Sequence, residues 1–140
     1  MESWMIYAGL SALFAALTAV FIKLGTQTID SDVATLYRVF LIFFVTLAVI
    51  ALKQKRITLE GSSTKEIIFL GLSALATGLS WLAYFRAIKE GPLSKVSLID
   101  KSSVILVVLI GLMFFGETLT VKSGLGMLFV IGGLFLIFFK

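Results

Sequence analysis

Residues 33–52 read VATLYRVFLIFFVTLAVIAL, with Arg38 as the single charge. At 1.5 Å per residue a helix of about that length covers ~30 Å, the thickness of a bilayer's hydrocarbon core. The run is continuous. A barrel strand would show about ten residues of alternating polarity instead. A helix also satisfies its own backbone N–H and C=O groups, which lipid cannot do. Four more apolar runs of comparable length lie at 4–22, 67–85, 96–115 and 123–139. The expected fold is therefore an all-α membrane protein, one domain over 1–140 with five transmembrane helices.

Composition points the same way. Of the 140 residues 59% are hydrophobic and 14% charged, against roughly 25% charged in a soluble domain. Mean hydropathy is +1.10. A soluble chain this short cannot hide so much apolar surface. Cysteine and histidine are both absent. That excludes disulfide frameworks, thiolate nucleophiles, imidazole acid–base chemistry and nearly every zinc site, so no metal is expected. Without clustered acids there is no catalytic constellation, and the chain does not read as an enzyme. The net charge of +4 does not imply nucleic-acid binding, because the cations sit at span ends, where snorkelling and topology account for them. The flank Met1-Glu2-Ser3 is acidic where a signal peptide needs positive charge, so run 4–22 reads as a retained helix. The longest connection, 53–66, is too short for a soluble domain. Function must reside in or between the helices.

Five spans put the termini on opposite sides. The side holding the N-terminus collects Lys53, Lys55, Arg56, Lys65 and Lys122; the other collects Lys23, Arg86, Lys89, Lys95 and Lys140. The tally is balanced, and Arg38 and Lys101 tip it only slightly towards the second side. The positive-inside rule needs a clear excess to set orientation. Two readings follow: the chain inserts both ways up and pairs antiparallel, or loop details select one orientation.

Polar groups inside the spans form the candidate site. Arg38 lies about a turn and a half into the second helix; Asp100 and Lys101 lie at similar depth in the fourth, from the same side. With Lys23 and Arg86 they make a mostly basic cluster at one end. An unpaired carboxylate there would protonate or draw in water, so Asp100 is expected to pair with Arg38 or Lys101. Neighbours in a helix differ by ~100°, so Asp100 and Lys101 should not face one cleft together. Three roles stay open for this group: a packing clamp, a gate or substrate path, and a proton-coupling role for Asp100. Ser94, Ser97, Asp100 and Ser103 form a polar stripe at i, i+3 spacing. Ser11 and Thr18 in the first helix, with Trp81 and Tyr84 in the third, are the other path candidates. The alternatives are helix packing for the small and hydroxyl residues and an interfacial belt for the aromatics. Gly78, Gly126 and Gly133 read as packing positions. The last helix has no polar side chain after Ser123, so it reads as peripheral or dimer-forming.

These residues resemble a known family. The runs Trp81-Leu82-Ala83-Tyr84-Phe85-Arg86-Ala87-Ile88, Gly91-Pro92-Leu93-Ser94-Lys95-Val96, Ile99-Asp100-Lys101-Ser102-Ser103-Val104 and Phe115-Gly116-Glu117-Thr118-Leu119-Thr120 carry the likeness. Phe21-Ile22-Lys23, Tyr37-Arg38 and the glycines 124, 132 and 133 extend it over nearly the whole chain. The chain resembles one EamA-type half of the drug/metabolite transporter superfamily, in its short five-helix form. The resemblance implies one inverted-repeat half of a ten-helix transporter, with helices one to four around the path and helix five outside. It implies transport, often export, of a small organic metabolite or drug without a bound cofactor. Partners would be membrane lipid, the small-molecule substrate, and a second copy arranged antiparallel or a homologous five-helix chain. The place would be the cell inner (plasma) membrane, crossed several times. The four-helix small multidrug resistance relatives carry a glutamate in helix one; residues 4–22 have no acid, which argues against that mechanism. Glu117 is expected to favour the start of the last helix. The competing readings are a subunit of a lipid-carrier (undecaprenyl-phosphate-sugar type) flippase paired with another chain, and a non-transporting membrane scaffold.

Overall fold

The computed structural model describes residues 2–138, so Met1, the expected end of the last span at Phe139, and the Lys140 charge lie outside the described residues. The helices are α1 (Ser3–Gly25), α2 (Ser31–Leu52), α3 (Thr64–Glu90), α4 (Leu93–Asp100), α5 (Ser103–Phe114) and α6 (Val121–Phe138). No strand occurs among the described residues. Four stretches are long and apolar enough to cross a membrane: α1, α2, α3 and Leu93–Phe114. The chain divides into two compact units, Met1–Glu90 and Gly91–Lys140.

In the first unit the helix ends follow from local chemistry. Asp30 caps α2: its carboxylate accepts from the backbone N–H groups of Asp32 at 2.9 Å and Val33 at 3.3 Å. α3 opens on a capping box that the sequence spells as Ser63-Thr64-Lys65-Glu66. The Ser63 N–H donates to the Glu66 carboxylate at 2.7 Å, and the Glu66 N–H donates back to Ser63 Oγ at 3.3 Å. Gly61, just before it, turns the chain at φ +86°, a conformation that favours glycine. Within the spans, Thr35, Thr46 and Thr77 donate their hydroxyls to the carbonyls four residues back, so they add no unsatisfied polar group to an apolar face.

α3 packs on both α1 and α2. The buried residues gather where the C-terminal ends of α1 and α3 meet the N-terminal end of α2: Ala19, Ile22, Thr26, Ser31, Thr35, Phe85 and Ile88. Away from that end the large side chains, among them Phe40, Phe43, Leu70, Leu75 and Leu79, are exposed. Such a surface suits hydrocarbon rather than water.

The second unit corrects the expectation of an uninterrupted fourth helix. Around Lys101-Ser102 the ladder tightens from i→i−4 to i→i−3 bonds. Ser102 N–H donates to Ile99 O at 2.9 Å, Val104 N–H to Lys101 O at 3.1 Å and Ile105 N–H to Ser102 O at 3.0 Å. The Asp100 carbonyl thereby loses its helical partner, Val104 N–H. Ser103 Oγ supplies the replacement at 2.9 Å. A charged pair followed by two serines offers the backbone competing hydrogen bonds, which is the physical reason for the break.

α5 ends on a second glycine turn. Phe115 N–H and Glu117 N–H both donate to the Gly111 carbonyl, at 3.1 and 3.2 Å, across Gly116 at φ +65°. The Glu117 carboxylate folds back over Gly111, where a Cβ would lie 2.5 Å from Oε2. The N-terminal cap of α6 is made instead by Thr120, whose Oγ1 accepts from Ser123 N–H at 3.2 Å. Glu117 was expected to favour that helix start; its side chain lies over α5 because the left-handed turn at Gly116 reverses the chain there.

Candidate functional site: a cationic cleft in the first unit

Beside the packed end of the first unit is an open cleft of about 400 Å³, within the range of ~300–1,000 Å³ usual for small-molecule sites. It is lined by Thr18, Phe21, Ile22, Gly25 and Thr26 from α1 and its end, Ile29 from the connection, Ala34, Tyr37, Arg38 and Leu41 from α2, and Phe85 from α3. The lining carries one cation and no carboxylate.

Arg38 is half-buried. Its guanidinium carbon lies 4.4 Å from the centre of the Trp81 ring and 5.4 Å from that of Phe85. Trp81 and Phe85 are four apart on α3 and so present both rings on one face. A charge at the centre of a span costs ~2.5–3.5 kcal/mol on insertion scales. A cation over an aromatic face recovers ~0.5–2 kcal/mol. The two rings thus offset part of the cost of holding Arg38 in the span.

The other charges at this end are committed elsewhere. Lys23 Nζ donates to the Ile88 carbonyl at 2.7 Å and the Lys89 carbonyl at 3.4 Å. These carbonyls close the C-terminal end of α3, where a cation is favoured. Lys89 Nζ in turn donates to the Ile29 carbonyl at 2.8 Å. Arg86 Nη2 lies 3.6 Å from Asp32 Oδ2. Asp30, outside the spans, is held below the ordinary carboxylate range, first by its hydrogen bond from Val33 N–H and then by that from Asp32 N–H.

Of the residues singled out from sequence, Arg38 and Thr18 line this cleft, and Trp81 borders it through its contact with the Arg38 guanidinium. Tyr84, half-buried, is on α3 in the same unit, and Ser11 is exposed on α1. Asp100, Lys101, Ser97 and Ser103 fall in the second unit. There Lys101 Nζ meets Asp100 Oδ2 at 3.1 Å. Lys101 was one of the two partners expected for Asp100, Arg38 being the other; Lys101 keeps helical backbone angles and its bond to the Ser97 carbonyl, so it is the length of its side chain that reaches the neighbouring carboxylate. Gly78, Gly126 and Gly133 carry no pressing neighbour, since a Cβ on each would meet nothing within 4 Å. Sequence reading missed Phe85, Lys89, Asp30 and Asp32. The i, i+4 spacing from Trp81 marks Phe85. The Asp30-Ser31-Asp32 run is a helix-start signature, and Lys89 stands in the last turn of α3.

The EamA-like transporter family model matches residues 2–139. The chain belongs to the EamA-like transporter family. A relative from Sinorhizobium sp., named as an uncharacterized transporter in the cobO 3′ region, is 45% identical over 139 residues. That alignment covers 97% of this chain and 96% of the relative. No solved structure matches the chain. This EamA-family protein is thus a membrane transporter, and its long apolar helices suit a multi-pass membrane protein.

Proposed function

We propose that this EamA-family chain exports a small organic molecule across the cell inner membrane by alternating access, as an antiparallel pair of copies around one path. The observation that carries the reading is the cleft beside Arg38: a pocket of ligand size, with one charged and otherwise mainly apolar lining, beside helices whose remaining surface suits lipid. The path residues are Arg38, Thr18 and Trp81, with Tyr84 and Ser11 on the same three helices, and Asp100, Lys101, Ser97 and Ser103 on the broken fourth span. Balanced lysine and arginine counts support insertion in both orientations, and inverted halves are a common transporter plan. The open faces at Gly78, Gly126 and Gly133 suit close approach by a partner's helices.

Flux in proteoliposomes tests the transport step, with Arg38→Ala and Asp100→Asn as probes. Each variant is expected to lower flux of any transported solute. Unchanged flux in both would remove these residues from the path. Reporters on the C-terminus that read each compartment test the pairing. Signal on both sides is expected. Signal on one side would replace the homodimer with pairing to a homologous five-helix chain.

A further inference from the structure

We propose that the cleft beside Arg38 takes an amphiphilic organic anion: an apolar body of about one aromatic ring, bearing a single acidic group that meets the Arg38 guanidinium. The inference rests on reading this cleft as the substrate site, and it names the substrate's chemistry.

The charge census of the first unit carries the argument. Each other cation at this end has an oxygen partner. Lys23 donates to the Ile88 carbonyl, Lys89 donates to the Ile29 carbonyl, and Arg86 faces Asp32. Arg38 has neither a carboxylate nor a carbonyl partner among the described residues; it lies over the faces of Trp81 and Phe85, with the Tyr84 phenol within electrostatic range. An aromatic face offsets the charge of a guanidinium but is no oxygen acceptor for its five N–H donors, which a planar acid can match. A half-buried fork of donors opening on a ligand-sized apolar cleft is complementary to an acidic group on an apolar body.

The same census disfavours a cationic ligand. The cleft lining has no acid. The nearby carboxylates lie outside the lining and have partners of their own: Asp30 Oδ1 accepts from two backbone N–H groups, and Asp32 meets Arg86 and the Ser31 hydroxyl. A cation entering would face Arg38 with nothing to offset the repulsion. A neutral ligand would fill the apolar lining but leave the guanidinium donors unmatched. Thr18, half-buried in the lining, adds a hydroxyl that can accept or donate beside the acid.

Trp81 is a built-in reporter, since the chain has two tryptophans and the other, Trp4, is in the first turn of α1. The experiment uses the full-length Trp4→Phe chain in lipid nanodiscs. Its Trp81 emission is followed during titration with phenylacetate, phenylacetamide, phenethylamine or acetate. Phenylacetate should give a saturable change at a concentration about ten-fold below that needed for the amide, with no response to the amine or to acetate. Arg38→Gln should erase the preference for acid over amide, and Arg38→Lys should keep it. Equal titration by acid and amide in the Trp4→Phe chain, a preference for the amine, or an equal response to acetate would overturn the proposal, and none of these needs an Arg38 variant to fold. Flux is measured separately on the same preparation. Anion binding without flux of any solute would remove the transport reading and leave the anion site. Flux of neutral or cationic solutes without acid preference at Trp81 would do the reverse.

Discussion

The ammonium of Lys23 donates to the carbonyl of Ile88 across 65 positions of sequence, at 2.7 Å, and Ile88 is the most deeply buried large side chain of the first unit. One cation on α1 therefore closes the C-terminal end of α3, at the place where the three helices pack. The first prediction follows from it. Lys23→Met should lower stability by about 1.5–3 kcal/mol, the range for a hydrogen bond from a charged donor. Arg86→Ala should cost under about 1 kcal/mol, because its ion pair with Asp32 is solvent-exposed on both sides. Denaturant titration in micelles ranks the two; equal effects would mean that the lysine tie carries no special weight.

Gly111 and Glu117 give a second prediction. A Cβ at Gly111 would lie 2.5 Å from Glu117 Oε2 and 3.1 Å from its Cδ, so the carboxylate must swing away. Alanine in a helix otherwise gains about 1 kcal/mol over glycine. Gly111→Ala should therefore be near neutral alone and clearly stabilising in a Glu117→Ala background. A double-mutant cycle should return a coupling of at least ~0.5 kcal/mol, and zero coupling would contradict the contact.

Asp30 sets a pH dependence. Its carboxyl is held low by the Val33 and Asp32 N–H groups, so the folded chain binds the proton less readily than the unfolded one. The stabilisation is complete above the unfolded carboxylate pKa of about 3.9 and disappears as pH falls through the lowered folded value. Asp30→Ala should be destabilising at neutral pH and should converge on the wild type below that value. Asp30→Asn keeps an accepting oxygen and should flatten the difference between neutral and acid. An Asp30→Ala deficit of constant size across the titration would refute the linkage.

Orientation gives the fourth prediction. If the chain crosses five times, as proposed, the two sides are balanced in lysine and arginine, so a small bias should be decisive. Gln27→Arg with Thr28→Arg adds two charges to the connection between α1 and α2, where Gln27 and Thr28 are exposed. C-terminal reporters should then give signal in one compartment alone. A wild type that already reports from one side would show that features other than the charge tally fix its topology.

Much of the architecture was legible in residues 33–52 and the four runs like them. Span length and continuous hydropathy depend on the thickness of hydrocarbon and on backbone hydrogen bonding, which are local demands that each segment meets by itself. The family pattern was legible for the same reason, since it consists of short runs of fixed spacing. The interruption at Lys101-Ser102 was not read, although Asp100-Lys101-Ser102-Ser103 carries its signal, because hydropathy averages over a window wider than one turn. Glu117 was placed at the wrong helix by the same neglect of local geometry, here the reversal at Gly116.

The sequence by itself determined four helices long enough to span, where their cations stand along each axis, and which family they compose. Only tertiary structure decided which of those cations are spoken for. Lys23, Lys89 and Arg38 look alike as charges near one end of a bundle. Packing three helices brings two of them to main-chain carbonyls and sets the third against the faces of Trp81 and Phe85. Hydrogen-bond partners separated by 60 or more positions leave no periodic trace in a single chain, because their meeting depends on how helices pack in three dimensions and not on the spacing of residues along any one of them.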